Sequence, residues 1–150
     1  MGASRVHWPG RAQMLQQKPW VLLDGAINRE SALHICEIVK DYSAKRITAV
    51  ICIPKPKDLA GVCAQVASVA NKIIVTEVST PTLSWYENAA TIASRHCSEV
   101  QTIRSAEEAL QSVIAETRED EGILLLGTQS FLGTALRFWD ADTCSIYETS

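Results

Sequence analysis

The residues Asp24, Gly25, Ala26 and Asn28 stand where an apolar run, 21–23, passes into a helical pattern. A carboxylate at the end of a buried strand has two chemical uses. It can accept the two hydroxyls of a ribose, since two donors suit one carboxylate, or it can order the turn and cap the next helix. Gly25 and Ala26 are small enough to let a ligand approach the backbone, and Asn28 is a good helix N-cap whose exposed N–H groups favour an anion. The spacing leaves both uses of Asp24 open. Two more positions have the same setting. Lys55 and Lys57 flank Pro56 at another strand end, where they could reach an anion or form a solvated loop. Gly127-Thr128-Gln129-Ser130 ends an apolar run and opens a helix, which could greet an anion or be a plain turn and cap.

The elements that must hold these residues alternate regularly. The β-branched runs 21–23, 47–53, 72–78, 99–103 and 123–126 read as strands, and the second, third and fifth are nearly continuous in apolar residues. Strands covered on both faces have that pattern. Between them Ala32, Ile35, Cys36, Val39 and Tyr42 share one helical face. So do Leu59, Val62, Cys63, Val66 and Ala70, and then Ala106, Ala109, Leu110, Val113 and Ile114. Asn28 and Asp58 read as N-caps. Ser84 with Glu87 and Ser105 with Glu108 match the capping box. A last helix is expected over about 130–139, an edge strand over 11–15 paired with 21–23, and a further strand over 144–147. This alternation predicts an α/β, Rossmann-like three-layer sandwich, a mostly parallel sheet of about six strands with helices on both faces.

Composition excludes several classes. The 150 residues are 47% hydrophobic and 21% charged, so the chain can build a core. Its 14 basic residues are scattered and the net charge is −3, which predicts no nucleic-acid partner. No apolar run is long enough for a bilayer and no signal-peptide pattern opens the chain, so a cytoplasmic protein without membrane contact is expected. Five cysteines without a CxxC read as reduced, buried thiols rather than a zinc site or disulfide framework. His34 and His96 read as helix-surface residues and His7 as part of a linker. Trp8, Trp20, Trp85 and Trp139 read as core or interdomain packing.

Three segments resemble a known family when taken jointly. Trp8-Pro9-Gly10-Arg11, VLLDGA at 21–26 with Asn28, and ILLLGTQSFLG at 123–133 look like the C-terminal domain of folylpolyglutamate and dihydrofolate synthases, members of the Mur ligase superfamily. The segment IPKPKD at 53–58 is similar to the family's loop after its second strand. The resemblance implies that residues 1–10 are a linker or an artificial start and that 11–150 form the Mur ligase-like C-terminal domain. An upstream ATPase domain would carry the P-loop and the magnesium ligands; no GxxxxGK[ST] occurs here. It further implies ATP with magnesium, bound mainly by that domain, and folate and glutamate as substrates. The carboxylate would be activated as an acyl phosphate and captured by the amino group of glutamate. Arg11 would hold phosphate oxygens in fork geometry, Asp24 the ribose hydroxyls, and Asn28 would lie at the nucleotide. The isolated chain is expected to be inactive.

The sequence departs from the family at two places. The family usually reads DGAHN, and Ile27 stands at the histidine position with Arg29 after Asn28. The stretch STPTLSW at 79–85 lacks an arginine common in the family. A Mur-type cell-wall ligase domain, or a non-catalytic α/β binding domain with eroded nucleotide contacts, are the alternative readings.

Overall fold

A computed structural model describes residues 11–139. The expected elements at 144–147 and the Trp8-Pro9-Gly10 segment lie outside the described residues. Six strands form one sheet in the order β1-β2-β6-β3-β4-β5: β1 (Gln13–Gln17), β2 (Trp20–Asp24), β3 (Ile47–Cys52), β4 (Lys72–Glu77), β5 (Val100–Ser105) and β6 (Gly122–Gly127). Among the described strands only β1 is antiparallel; it makes a hairpin with β2 across Lys18-Pro19. The others pair in parallel, with β6 between β2 and β3 so that Asp24 lies beside Leu126 and Ile51 on the other side of it.

Strand alternation divides the core into two layers. Trp20, Leu22, Ala49, Ile51, Ile73 and Val75 face α1 (Arg29–Val39), α2 (Leu59–Val66) and α3 (Ala89–Ser94). Val21, Leu23, Val50, Ile74, Ile123 and Leu125 face α4 (Ala106–Glu116) and α5 (Gln129–Phe138). All residues of β2, β3 and β6 are buried, which explains why their sequences do not alternate. The predicted three-layer sandwich is thus present. Among the described residues no helix is long and apolar enough to cross a membrane. Cys36, Cys52, Cys63 and Cys97 are buried free thiols.

Local expectations fared unevenly. Asp58 caps α2 by accepting from the Gly61 N–H at 2.9 Å. Ser105 caps α4 through the Glu108 N–H at 3.3 Å, one half of the expected box. The Ser84–Glu87 pair starts no helix: α3 begins at Ala89, and the Ser84 carbonyl instead accepts from the Lys55 N–H at 2.9 Å. That bridge between loops outweighs a four-residue helix signal. Tyr42 is not on the α1 stripe, because the helix ends at Val39; its ring packs on Trp20 with centroids 5.7 Å apart. The edge strand runs over Gln13–Gln17, two residues later than expected.

Candidate functional site

Adjacent strands whose following helices lie on opposite faces leave a crevice at their carboxyl ends, the usual ligand position in open α/β sheets. Here β2 leads into α1 on one face, while β6 leads into α5 on the other. A cleft of about 290 Å³ opens there, walled by Gly25, Ile27, Leu83 and Leu132 and by Gly127, Thr128 and Gln129 at the start of α5. Gly127 has to be glycine. A Cβ at that position would lie 2.8 Å from the Cys52 carbonyl oxygen and 2.7 Å from Phe131 Cδ2. Thr128 stands at the N-cap of α5 without making a side-chain cap bond, and its shielded Oγ1 has no hydrogen-bond partner among the described residues.

Asp24 ends β2 on the α1 side of the sheet, by alternation with Trp20 and Leu22. It is 8% exposed. Its Oδ1 accepts the Ala12 N–H at 2.8 Å. Ala12 has a positive φ of 50°, which departs from the extended backbone of the following strand just where this bond is made. Burial raises the Asp24 carboxyl above its ordinary range. The N–H groups of Ala12 and Ala26 and the charges of Arg11 and His34 oppose that rise. Arg11 is exposed at the surface and precedes Ala12, whose N–H Asp24 accepts.

Asn28 has a local task. Its Oδ1 accepts from the Ser31 N–H at 2.9 Å, while Ser31 Oγ in return accepts from the Asn28 N–H at 3.3 Å. This reciprocal cap uses serine where the usual pattern has Glu or Gln, so a search for S/T-x-x-E/Q passes over it. Ile27 lines the cleft and gives it an apolar wall. Lys57 and Lys55 lie on a loop laced to the next one. The Tyr86 hydroxyl donates to the Lys57 carbonyl, and Lys55 Nζ sits 6.0 Å from the Tyr86 ring centroid. The stretch 79–85 has no arginine, but Arg104 reaches its neighbourhood from β5. It pairs with Glu77 at 3.0 Å beside a cleft that Trp85 also lines. Sequence reading missed Arg104 because its role depends on the β4–β5 pairing. Trp20 Nε1 donates to the Ser43 carbonyl at 3.0 Å and Trp139 Nε1 to Gln16 Oε1 at 2.9 Å, so both are structural. His34 and His96 are exposed, and His7 lies outside the described residues.

A family model described as the Mur ligase glutamate ligase domain matches residues 10–129. The chain belongs to this family. Similar proteins agree. A probable bifunctional folylpolyglutamate synthase/dihydropteroate synthase of Halobacterium salinarum is 25% identical over 92% of this chain and 17% of its own length. The dihydrofolate synthase/folylpolyglutamate synthase of Bacillus subtilis is 24% identical over 87% of this chain and 30% of its own length. The chain thus spans just under a third of one curated relative and about a sixth of the other. Among solved structures, the Mycobacterium tuberculosis folylpolyglutamate synthase complexed with ADP superposes with a TM-score of 0.82 at 21% identity, covering 92% of this chain and 34% of that one. A folylpolyglutamate synthase from Thermotoga maritima gives 0.77 at 22% identity, covering 93% and 32%. The fold of the Mur ligase glutamate ligase domain is therefore the fold described above.

Proposed function

We propose that this chain is the C-terminal domain of an ATP-dependent folylpolyglutamate synthase, which joins glutamate to a folate carboxylate through an acyl phosphate. The observation that carries the reading is the Ala12 N–H bond to Asp24, which sets the neighbouring Arg11 near the carboxyl end of β2, in a domain of the Mur ligase glutamate ligase family. ATP is a substrate on this reading. Asp24 turns a carboxylate toward a ribose hydroxyl while the Ala12 N–H holds it in place, and Arg11 offers an exposed positive fork to phosphate oxygens as charge develops. Asn28 serves the nucleotide indirectly, by fixing the turn after Gly25. Magnesium and most nucleotide contacts belong to an upstream ATPase domain, which is the main partner, and the working compartment is the cytoplasm. ADP in the M. tuberculosis relative supports the nucleotide assignment.

A second reading has its own support. Asp24 Oδ1 already serves the Ala12 N–H, and Ile27 presents a hydrocarbon side chain to the cleft. Both suit a domain whose nucleotide contacts have weakened. The two readings separate in the intact parent protein. Arg11→Ala and Asp24→Asn are expected to lower kcat/KM for ATP by about 10- to 100-fold, the effect of losing a hydrogen bond to a charged group worth ~1.5–3 kcal/mol. Full ligase rates at limiting ATP in both variants would sink the first reading.

A further inference from the structure

The two edges of the sheet differ in chemistry. At one edge β5 carries Arg104, which pairs with Glu77 at 3.0 Å, and Glu99 just before β5 pairs with Arg46. Charges of that kind keep an edge strand from pairing again. At the other edge β1 reads Gln-Met-Leu-Gln-Gln, without a charge. It pairs with β2 on one side and with no described strand on the other. Met14 packs on the first core layer and Leu15 on the second, and both stay half-buried. The register shift near Leu15 leaves Gln16–Val21 and Gln17–Trp20 regularly paired at the carboxyl end of β1. An uncharged edge with partly wet apolar side chains on both faces is a surface that one more strand would complete.

The chain itself is carried to that edge. Trp139 Nε1 donates to Gln16 Oε1 at 2.9 Å, and Leu15, Phe138 and Trp139 pack on the same core layer. The chain thus passes Trp139 next to the carboxyl end of β1, with residues 140–150 still to follow in the sequence. Cys144, Ser145, Ile146 and Tyr147 read as a strand, and Asp140, Ala141, Asp142 and Thr143 before them include turn formers. Those linking residues reach up to about 14 Å, whereas a neighbouring strand lies only about 4.8 Å away. Charge agrees with this order. Arg11 and Lys18 flank β1, and Asp142 and Glu148 flank 144–147. An antiparallel arrangement brings Asp142 toward Lys18 and Glu148 toward Arg11. Handedness agrees as well. The connection β5–α4–β6 crosses one face of the sheet in the direction from β5 toward β1. A connection from β6 through α5 to a strand beyond β1 crosses the same face in the same direction, so it keeps the hand that parallel crossovers in one sheet share.

We propose that residues 144–147 pair antiparallel with the outer edge of β1 as a seventh strand, which makes this segment of the chain the occupant of the open edge. The proposal does not rest on the ligase reading. It gives the hairpin that follows Ala12 a second anchor.

The test is disulfide trapping in the 150-residue chain, joined to amide hydrogen exchange. Cys36, Cys52, Cys63 and Cys97 are buried, so a new cysteine at the exposed Gln17 has Cys144 as its available partner. Gln17→Cys is expected to close an intramolecular disulfide with Cys144 on mild oxidation, because paired strands bring Cα atoms within the about 4.4–6.8 Å that the bond needs. Gln101→Cys, also exposed but on β5, should close none. In the wild-type chain the amides of 145–147 should exchange at least about tenfold more slowly than in a free peptide of the same sequence. Ile146→Pro should abolish that protection, since proline donates no ladder bond. Amides of β3 and β6 that stay as slow as before verify that each variant is folded. Failure of Gln17→Cys to close, a disulfide formed only between two molecules, closure by Gln101→Cys instead, or peptide-like exchange across 145–147 would each overturn the proposal.

Discussion

Removing the Asp24 side chain should separate its structural task from its chemical one. The carboxylate accepts the Ala12 N–H at 2.8 Å. Asp24→Ala strips the acceptor from it. A buried group left unsatisfied costs about 1–3 kcal/mol. Ala12 is half-buried, so water recovers part of that, and loss of the buried charge returns a further part. A net destabilisation of about 2 kcal/mol follows, or roughly 4–8 °C in Tm for a domain of this size. Asp24→Asn keeps one acceptor and should lose about 1 kcal/mol or less at neutral pH. The pH dependence has a definite sign. Burial places the folded-state pKa above the unfolded value, so the native state binds the extra proton between the two. Wild-type stability relative to the asparagine variant is therefore greatest below the unfolded value of about 3.8 and declines as pH rises through the folded one. Carboxylates shared by both proteins cancel in this difference. Urea melts of the two proteins across pH 3.5–7 measure it. A wild-type advantage that grows with rising pH would show that the carboxylate is stabilised as an anion, and the account of its burial would be wrong.

Two further outcomes are expected. Gly133→Ala should stabilise the domain by about 0.5–1 kcal/mol in thermal melts, while Gly127→Ala should destabilise it by more than about 2 kcal/mol, because its methyl would meet the Cys52 carbonyl. The thiols of Cys36 and Cys63, pushed up by burial to about 11 and about 12, and that of Cys52, pushed higher still, should resist an aromatic disulfide reagent at neutral pH until denaturant is added. Prompt labelling of any of the three in the native chain would contradict their placement.

The layered fold was legible because β3, β4 and β6 are apolar on both faces and the helices between them keep a clean stripe. Caps were legible where one side chain meets its own turn, as at Asp58. Failures came where a distant loop competes. Ser84 resembles a cap but is drawn into a bridge by Lys55, and Tyr42 has the right spacing but lies beyond a helix that stops three residues earlier. Of the candidate site, the position of Asp24 at a strand end could be read directly. Its tie to Ala12 could not, because that depends on how a hairpin folds back over the rim. Arg104 carried no local signal, since it becomes meaningful only through Glu77, remote in the chain.

The placement of β6 between β2 and β3 has a bearing on how the polypeptide is made. Trp20 pairs with Gly122, about a hundred residues downstream, so the β1–β2 hairpin has no parallel neighbour until nearly the whole described segment has left the ribosome. Chains cut before that point would hold two half-sheets, each with a bare hydrogen-bonding edge inviting aggregation. Any shortened version for study should therefore retain residues beyond Gly127.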